Sequence, residues 1–217
     1  MRKSDTYTLL FALAVCAVCS VILAVAASSL RERQELNVEL YRKINVLKAF
    51  GKVVEKQEVQ TVFDKHITEM ECATALGIDG KMPLYLWKKD GTTTMCALPV
   101  SGKGLWSTIR GYLALKSDMN TIQGITFYDH GETPGLGGEI EKEWFQDQFQ
   151  GKKILEAGKL TGLEIVKGKV ADRYPDGNSH AVDGISGATR TSKGVERFLN
   201  SDLKRYNEYF KTQRGTK

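Results

Sequence analysis

The sequence predicts an α+β fold: an apolar N-terminal helix, then one mixed domain of grouped strands closed by a long amphipathic helix. Three observations carry this. Thr6 to Leu30 gives 25 consecutive uncharged positions, 20 of them apolar. Residues 82–129 hold two successive hairpin patterns, and Thr191 to Lys211 returns to helical spacing. Strands that follow one another, rather than alternating with helices, argue against a doubly wound parallel sheet. A length of 217 residues suits one such domain with an appendage.

The apolar run comes first. As a helix, 25 residues reach about 37 Å, against a hydrocarbon core of about 30 Å. The competing reading is a cleaved signal peptide, since Arg2 and Lys3 precede the run and Ala24, Ala26, Ala27 and Ser28 end it. A signal sequence has an apolar stretch of only about 7–15 residues, which favours an uncleaved anchor over residues 1–30. Arg2 and Lys3 favour an N-terminus inside the cytoplasm, while Arg31, Arg33, Arg42 and Lys43 pull the other way. The preference is for N-in, with the rest of the chain outside.

Residues 31–57 follow as a juxtamembrane helix and stalk. Leu36, Leu40, Ile44 and Leu47 stand at helical spacing, and Gly51 ends the helix. The plain expectation is that this stripe packs on the domain, which is placed at 58–217. Residues 58–71 predict a second helix. Then come MPLYLWKK and TTTMCALPV around a Lys-Asp-Gly turn at 89–91, and GYLALK and TIQGITFYD around a polar turn near Ser117–Asn120. Trp144–Phe149 predicts a short helix and Leu163–Gly168 a strand. In the last helix Val195, Phe198, Leu199, Leu203 and Tyr206 share one face.

Charge and cysteines exclude several functions. A formal charge of +5 without a basic cluster does not describe a nucleic-acid binder. Cys16 and Cys19 lie in the apolar run, where they act as small hydrophobes. Cys72 and Cys96 have no CxxC or His spacing, so no metal site is indicated; they either pair or stay as buried thiols, the plainer reading. His66, His130 and His180 lack ligand spacing, and His130 reads as a solvated loop histidine.

Two glycine-rich segments break the pattern. His130–Gly138 (HGETPGLGG) follows a strand, and Asp183–Gly194 (DGISGATRTSKG) precedes the last helix. In the second, Ser186, Gly187, Ala188 and Thr189 combine hydroxyls with small residues. Thr191 or Ser192 would cap the helix, and Arg190 and Lys193 would add positive charge. Such a helix start suits a phosphate, or is an ordinary loop and cap. The first segment has neither GxGxxG order nor a P-loop ending. Its Thr133-Pro134-Gly135 and Gly137-Gly138 turns with Glu132 describe a shaped loop, or merely a tight connection.

With GKGLWSTIRGYLAL (102–115), DHGETPGLGGEI (129–140), DGISGATRTS (183–192) and the single N-terminal span, nearly the whole chain resembles a family of covalent FMN-binding proteins. The family comprises the C subunits of Na+-translocating NADH:quinone oxidoreductases and, less closely, the G subunits of Rnf complexes. The resemblance implies FMN esterified through its phosphate to Thr189, the last residue of the Ser-Gly-Ala-Thr motif. Thr191 is the neighbouring hydroxyl outside that motif. A separate flavin transferase using FAD would make the bond, with Asp183, Ser186, Gly187 and Ala188 as its recognition motif and the floor of the site. Glu132, Thr133, Pro134, Gly135, Leu136 and Gly137 would lie against the flavin, with Arg190, Thr191 and Lys193 beside it. Trp106 and Ser107 are further candidates, although Trp106 reads more readily as core.

The resemblance further implies an electron carrier without catalytic residues of its own, in which the cofactor does the chemistry. Other membrane subunits of the complex would be its partners, in a bacterial inner membrane with the domain in the periplasm. The alternatives are an Rnf-type protein serving ferredoxin and NAD, and a membrane-tethered scaffold with no redox role.

Overall fold

The computed structural model describes residues 3–72 and 82–215. Arg2, one of the two charges that favour an inside N-terminus, lies outside the described residues. The chain divides into two compact units, Met1–Arg42 and Lys43–Lys217.

The described residues of the first unit are helical. They belong to α1 (Lys3–Ala49), which runs unbroken where the sequence suggests an anchor followed by a separate stalk helix. No glycine or proline interrupts residues 6–49. At the serine pair, Ser29 Oγ donates to the Ala26 carbonyl (3.0 Å), within the turn. The helix is long and apolar enough to cross a membrane, and the apolar side chains of that stretch are exposed.

The second unit begins with the end of α1. Gly51 closes it in a left-handed conformation, with Lys52 N–H donating to the Leu47 carbonyl (2.9 Å). Within this unit Val46, Leu47, Ala49 and Phe50 are buried, so the helix end that carries Leu47 packs on the domain. Helix α2 (Val59–His66) is shorter than the helix predicted over 58–71. The remainder of that stretch is instead β1 (Ile67–Cys72), an edge strand whose residues pair with β2 (Met82–Lys89) from Ile67↔Trp87 to Cys72↔Met82. Pairing with a neighbouring strand overrides local helical preference there.

Strands β1, β2, β3 (Thr92–Lys103), β4 (Thr108–Lys116) and β5 (Ile122–Asp129) form an antiparallel meander in chain order. Asp90 and Gly91 both adopt positive φ between β2 and β3, the two-residue turn that matches strand twist. Cys72 and Cys96 are free and buried. Cys72 lies opposite Met82 and Cys96 opposite Leu86, four positions apart along β2, so the register keeps them from pairing.

Beyond β5, the short helix α3 (Glu143–Gln146) is flanked by 3-10 turns at Gly137–Glu141 and Asp147–Phe149. Two small ribbons follow: β6 (Leu155–Glu156) against β7 (Lys159–Leu160), and β8 (Glu164–Ile165) parallel to β9 (Ala181–Val182), with α4 (Val170–Arg173) between the last two. Thus the strand predicted at 163–168 shrinks to two residues. Helix α5 (Thr189–Gly215) then closes the domain, burying Val195, Phe198, Leu199, Leu203, Tyr206 and Phe210.

The sheet is covered on both sides. On one, α5 joins Leu84, Leu98, Leu113 and Phe127 in the main core. On the other, Phe50 meets Trp87 at 5.6 Å, Phe63 meets Tyr85 at 6.4 Å, and Tyr85 stands edge-on to Tyr112 at 5.6 Å. Accordingly β4 is buried from Gly111 through Leu115, the pattern of a strand with both faces covered.

Phe145 anchors α3 to this core, with ring contacts to Phe127 (6.3 Å) and Phe149 (5.4 Å). Phe145→Ala should cost about 3–5 kcal/mol, the range for emptying a buried aromatic site. Urea denaturation of the membrane-extracted chain reads this directly; an unchanged midpoint would contradict the packing.

Candidate functional site

The site is built around one carboxylate. Glu132, just past β5, is buried, yet it accepts four hydrogen bonds. Oε1 takes the backbone N–H groups of Trp106 (2.9 Å) and Ser107 (3.1 Å), and Oε2 takes Leu105 N–H (3.2 Å) and the Thr191 hydroxyl (2.6 Å). The β3–β4 turn, the loop after β5 and the first turn of α5 therefore meet at a single anion. Small residues make room for it. A Cβ on Gly104 would stand 2.6 Å from Glu132 Oε1, and one on Gly137 would stand 2.6 Å from Thr191 Oγ1. Burial by itself would raise the carboxyl pKa, but the Thr191 hydroxyl and the three N–H groups outweigh it and hold the pKa below the usual carboxylate value.

Thr191 is thus not a helix cap. Helix α5 begins two residues earlier than the sequence suggests, and Thr191 and Ser192 are buried within its first turn. Ser192 Oγ accepts Ile185 N–H (3.3 Å), and Ser192 N–H donates to the Ala188 carbonyl (3.0 Å). Ala188 stands at the cap position without a side-chain acceptor. Among the described residues, no acceptor reaches the N–H groups of Thr189, Arg190 and Thr191.

At 100° per residue, Thr189 and Thr191 point to nearly opposite sides of the helix. As Thr191 turns inward to Glu132, Thr189 is left exposed. It lines a cleft of about 700 Å³ together with Asp183, Ser186, Gly187 and the exposed Trp144. That volume lies within the range of cofactor-sized sites. Gly187 has φ +75°, and a Cβ there would stand 2.9 Å from Leu136 Cδ2, so the loop after β5 lies directly on the motif.

The predicted residues fall into separate roles. Asp183, Ser186, Gly187 and Thr189 line the cleft, and Leu136 covers Gly187. Glu132 and Gly137 are buried, with Glu132 spending its carboxylate on the protein. Thr133, Pro134 and Gly135 form an exposed turn in which Leu136 N–H donates to the Thr133 carbonyl (3.1 Å). Arg190 is exposed, and Lys193 Nζ pairs with Glu196 at 2.7 Å.

Trp106 is not core: it is 71% exposed, because its backbone rather than its ring is held by Glu132. Ser107 also acts within the protein, its Oγ accepting Gly131 N–H (2.6 Å). Nor is His130 solvated. Its side chain is only 11% exposed; Nδ1 accepts Glu132 N–H (3.3 Å), and Nε2 is buried 3.5 Å from Glu141.

Sequence reasoning missed Trp144, Lys167 and Lys169, all lining the cleft. The parallel pairing of β8 with β9 brings the two lysines to the motif. The only sequence signal is the short strand predicted at 163–168, which names no pairing partner. Among the described residues, no group of three metal-ligating side chains occurs.

Glu132→Ala leaves four donors without their acceptor and should cost about 3 kcal/mol of stability. The wild type should also lose stability on acidification. With the folded pKa depressed, the unfolded chain binds more protons in this range, so the Glu132 contribution is complete above about pH 5 and fades as pH falls through the lowered value. Denaturation midpoints between about pH 3 and 7 should show a slope that Glu132→Ala flattens; parallel curves would contradict the hub.

The FMN-binding domain family matches residues 104–204, the stretch that holds the hub and the cleft. The C subunit of the Na(+)-translocating NADH-quinone reductase of Pseudomonas aeruginosa is 37% identical, over 92% of this chain and 91% of its own length. The corresponding Haemophilus ducreyi protein is 36% identical, over 90% and 88%. Among solved structures, the C subunit from Parabacteroides distasonis superposes with a TM-score of 0.71 at 31% identity, covering 83% of this chain and 96% of that one. Identity of this extent along the whole chain, together with a shared domain fold, means that the chain belongs to the family of C subunits of the Na+-translocating NADH-quinone reductase.

Proposed function

We propose that this chain is the flavin-carrying electron-transfer component of a Na+-translocating NADH:quinone reductase, with FMN joined by a phosphodiester bond to Thr189. The bound flavin would take up and pass on electrons; the chain's own residues hold and shape its site. The observation that carries the reading is the contrast between two threonines. Thr191 donates its hydroxyl to a buried carboxylate, whereas Thr189 is exposed and lines a cofactor-sized cleft. Next to it, the first-turn N–H groups of α5 have no protein acceptor among the described residues, the arrangement that binds a phosphate.

A flavin transferase using FAD is the proposed source of the bond, and the exposed Ser186 and Gly187 keep the motif accessible to it. The other subunits of the reductase are the proposed partners. Residues 1–30 serve as the anchor and 31–57 as the stalk, with the domain at 58–217 on the periplasmic side of a bacterial inner membrane. The NADH-quinone reductase relatives favour this reading over an Rnf-type protein.

Co-expression with a flavin transferase tests the attachment. Wild-type chain should keep flavin fluorescence through denaturing electrophoresis, and Thr189→Ala should lose it entirely. Peptide mass mapping should place the adduct at Thr189. Equal fluorescence in Thr189→Ala, or an adduct at Thr191, would refute the assignment.

A further inference from the structure

The Thr189 cleft contains two cations that neither glycine-rich motif supplies. Lys167 and Lys169 line it from the connection between β8 and α4. Their backbone is clipped to the motif. Val166 N–H donates to the Val182 carbonyl (3.0 Å), and Gly184 N–H to the Gly168 carbonyl (2.9 Å). Asp183 Oδ1 accepts Val170 N–H (2.7 Å), while Asp183 N–H donates to Gln148 Oε1 (2.8 Å). A Cβ on Gly184 would collide with the Val166 carbonyl oxygen, so the two segments are in direct backbone contact.

The cations within the motif are placed differently. Lys193 is engaged by Glu196, whose carboxylate also accepts Ile165 N–H (2.6 Å), and Arg190 does not line the cleft. Among the described residues, Lys167 and Lys169 have no ion-pair partner. The one acid lining the cleft, Asp183, has an oxygen committed to Val170. Two like charges held on one wall repel each other unless an anion lies between or before them.

We propose that Lys167 and Lys169 are the charge-balancing pair of the flavin site, positioned by Asp183. They would balance the charge of a phosphodiester at Thr189 and the negative charge that the flavin gains when an electron arrives without a proton. The proposal rests on the Thr189 reading. Lysine suits the task, since a compact charge on a flexible stem follows an anion without imposing the fixed fork of a guanidinium. The pair is exposed, so its effect is screened by salt.

The test uses the full chain, co-expressed with a flavin transferase, purified in detergent and mapped for FMN at Thr189. Spectroelectrochemical titration compares wild type, Lys167→Gln/Lys169→Gln and Lys167→Arg/Lys169→Arg at low and high salt. The Gln pair should shift the reduction equilibrium about tenfold against the reduced flavin, about 59 mV for a one-electron couple. It should also weaken the salt dependence of the potential, while the Arg pair stays within about threefold of wild type.

A Gln pair that is fully loaded with flavin and titrates like wild type overturns the proposal and leaves the Thr189 reading intact. Loading that fails in the Gln pair and returns in the Arg pair supports the cationic role, at the stage of attachment. Failure of both pairs to load overturns it, since charge would then not be the property required. Absence of flavin at Thr189 in the wild type removes the Thr189 reading and this proposal together.

Discussion

A buried carboxylate that must find four donors is the constraint on which the rest of the site depends. Glu132 meets it with three consecutive backbone N–H groups from one turn and a hydroxyl from a helix. Successive N–H groups converging on one point form a concavity suited to an anion, and ionised acceptors make the stronger hydrogen bonds. A glutamine has a single oxygen and could not serve all four donors. The carboxylate therefore fixes three segments far apart in sequence, and the motif blocks around Leu105, Glu132 and Thr191 are one structural device.

This device also decides which way the motif faces. Because Thr191 must reach Glu132, the rotation of the first turn of α5 is set, and Thr189 two residues earlier is turned outward. Nothing about Thr189 itself determines its exposure. Its presentation at the cleft follows from a hydrogen bond made by its neighbour, as does the register of the small residues before it. Gly187 then comes against Leu136, which closes the motif onto the loop that carries Glu132.

Much of this fold is legible in the sequence because it rests on local chemistry. Periodicity marks the inward face of α5 from Val195 to Tyr206, and the Asp90-Gly91 turn announces the first hairpin. Features settled by distant partners are harder to read. Residues 67–71 read locally as a continuation of the helix before them and become a strand because they pair with β2. Trp106 reads as core, since an indole is usually buried, and nothing local shows that its backbone is the part held in place. Lys167 and Lys169 come to the cleft through a two-residue parallel pairing, too short to leave a pattern in the sequence.

The polar groups near the start of α5 divide by whether their hydrogen-bonding capacity is already used. Glu132, Thr191, Ser192 and one oxygen of Asp183 are committed to the protein, and they hold the backbone still. Among the described residues, the Thr189 hydroxyl, the first-turn N–H groups and the two lysine ammonium groups are not so committed, and they gather about the cleft. A site for an anionic cofactor needs both sets, because free donors bind it and a stiff backbone keeps them aimed. Either set alone has a plain structural explanation: buried networks brace loops, and exposed lysines keep proteins soluble. Their alternation along a single turn, with Thr191 inward and Thr189 outward, is what ties the bracing to the binding and gives the motif its order.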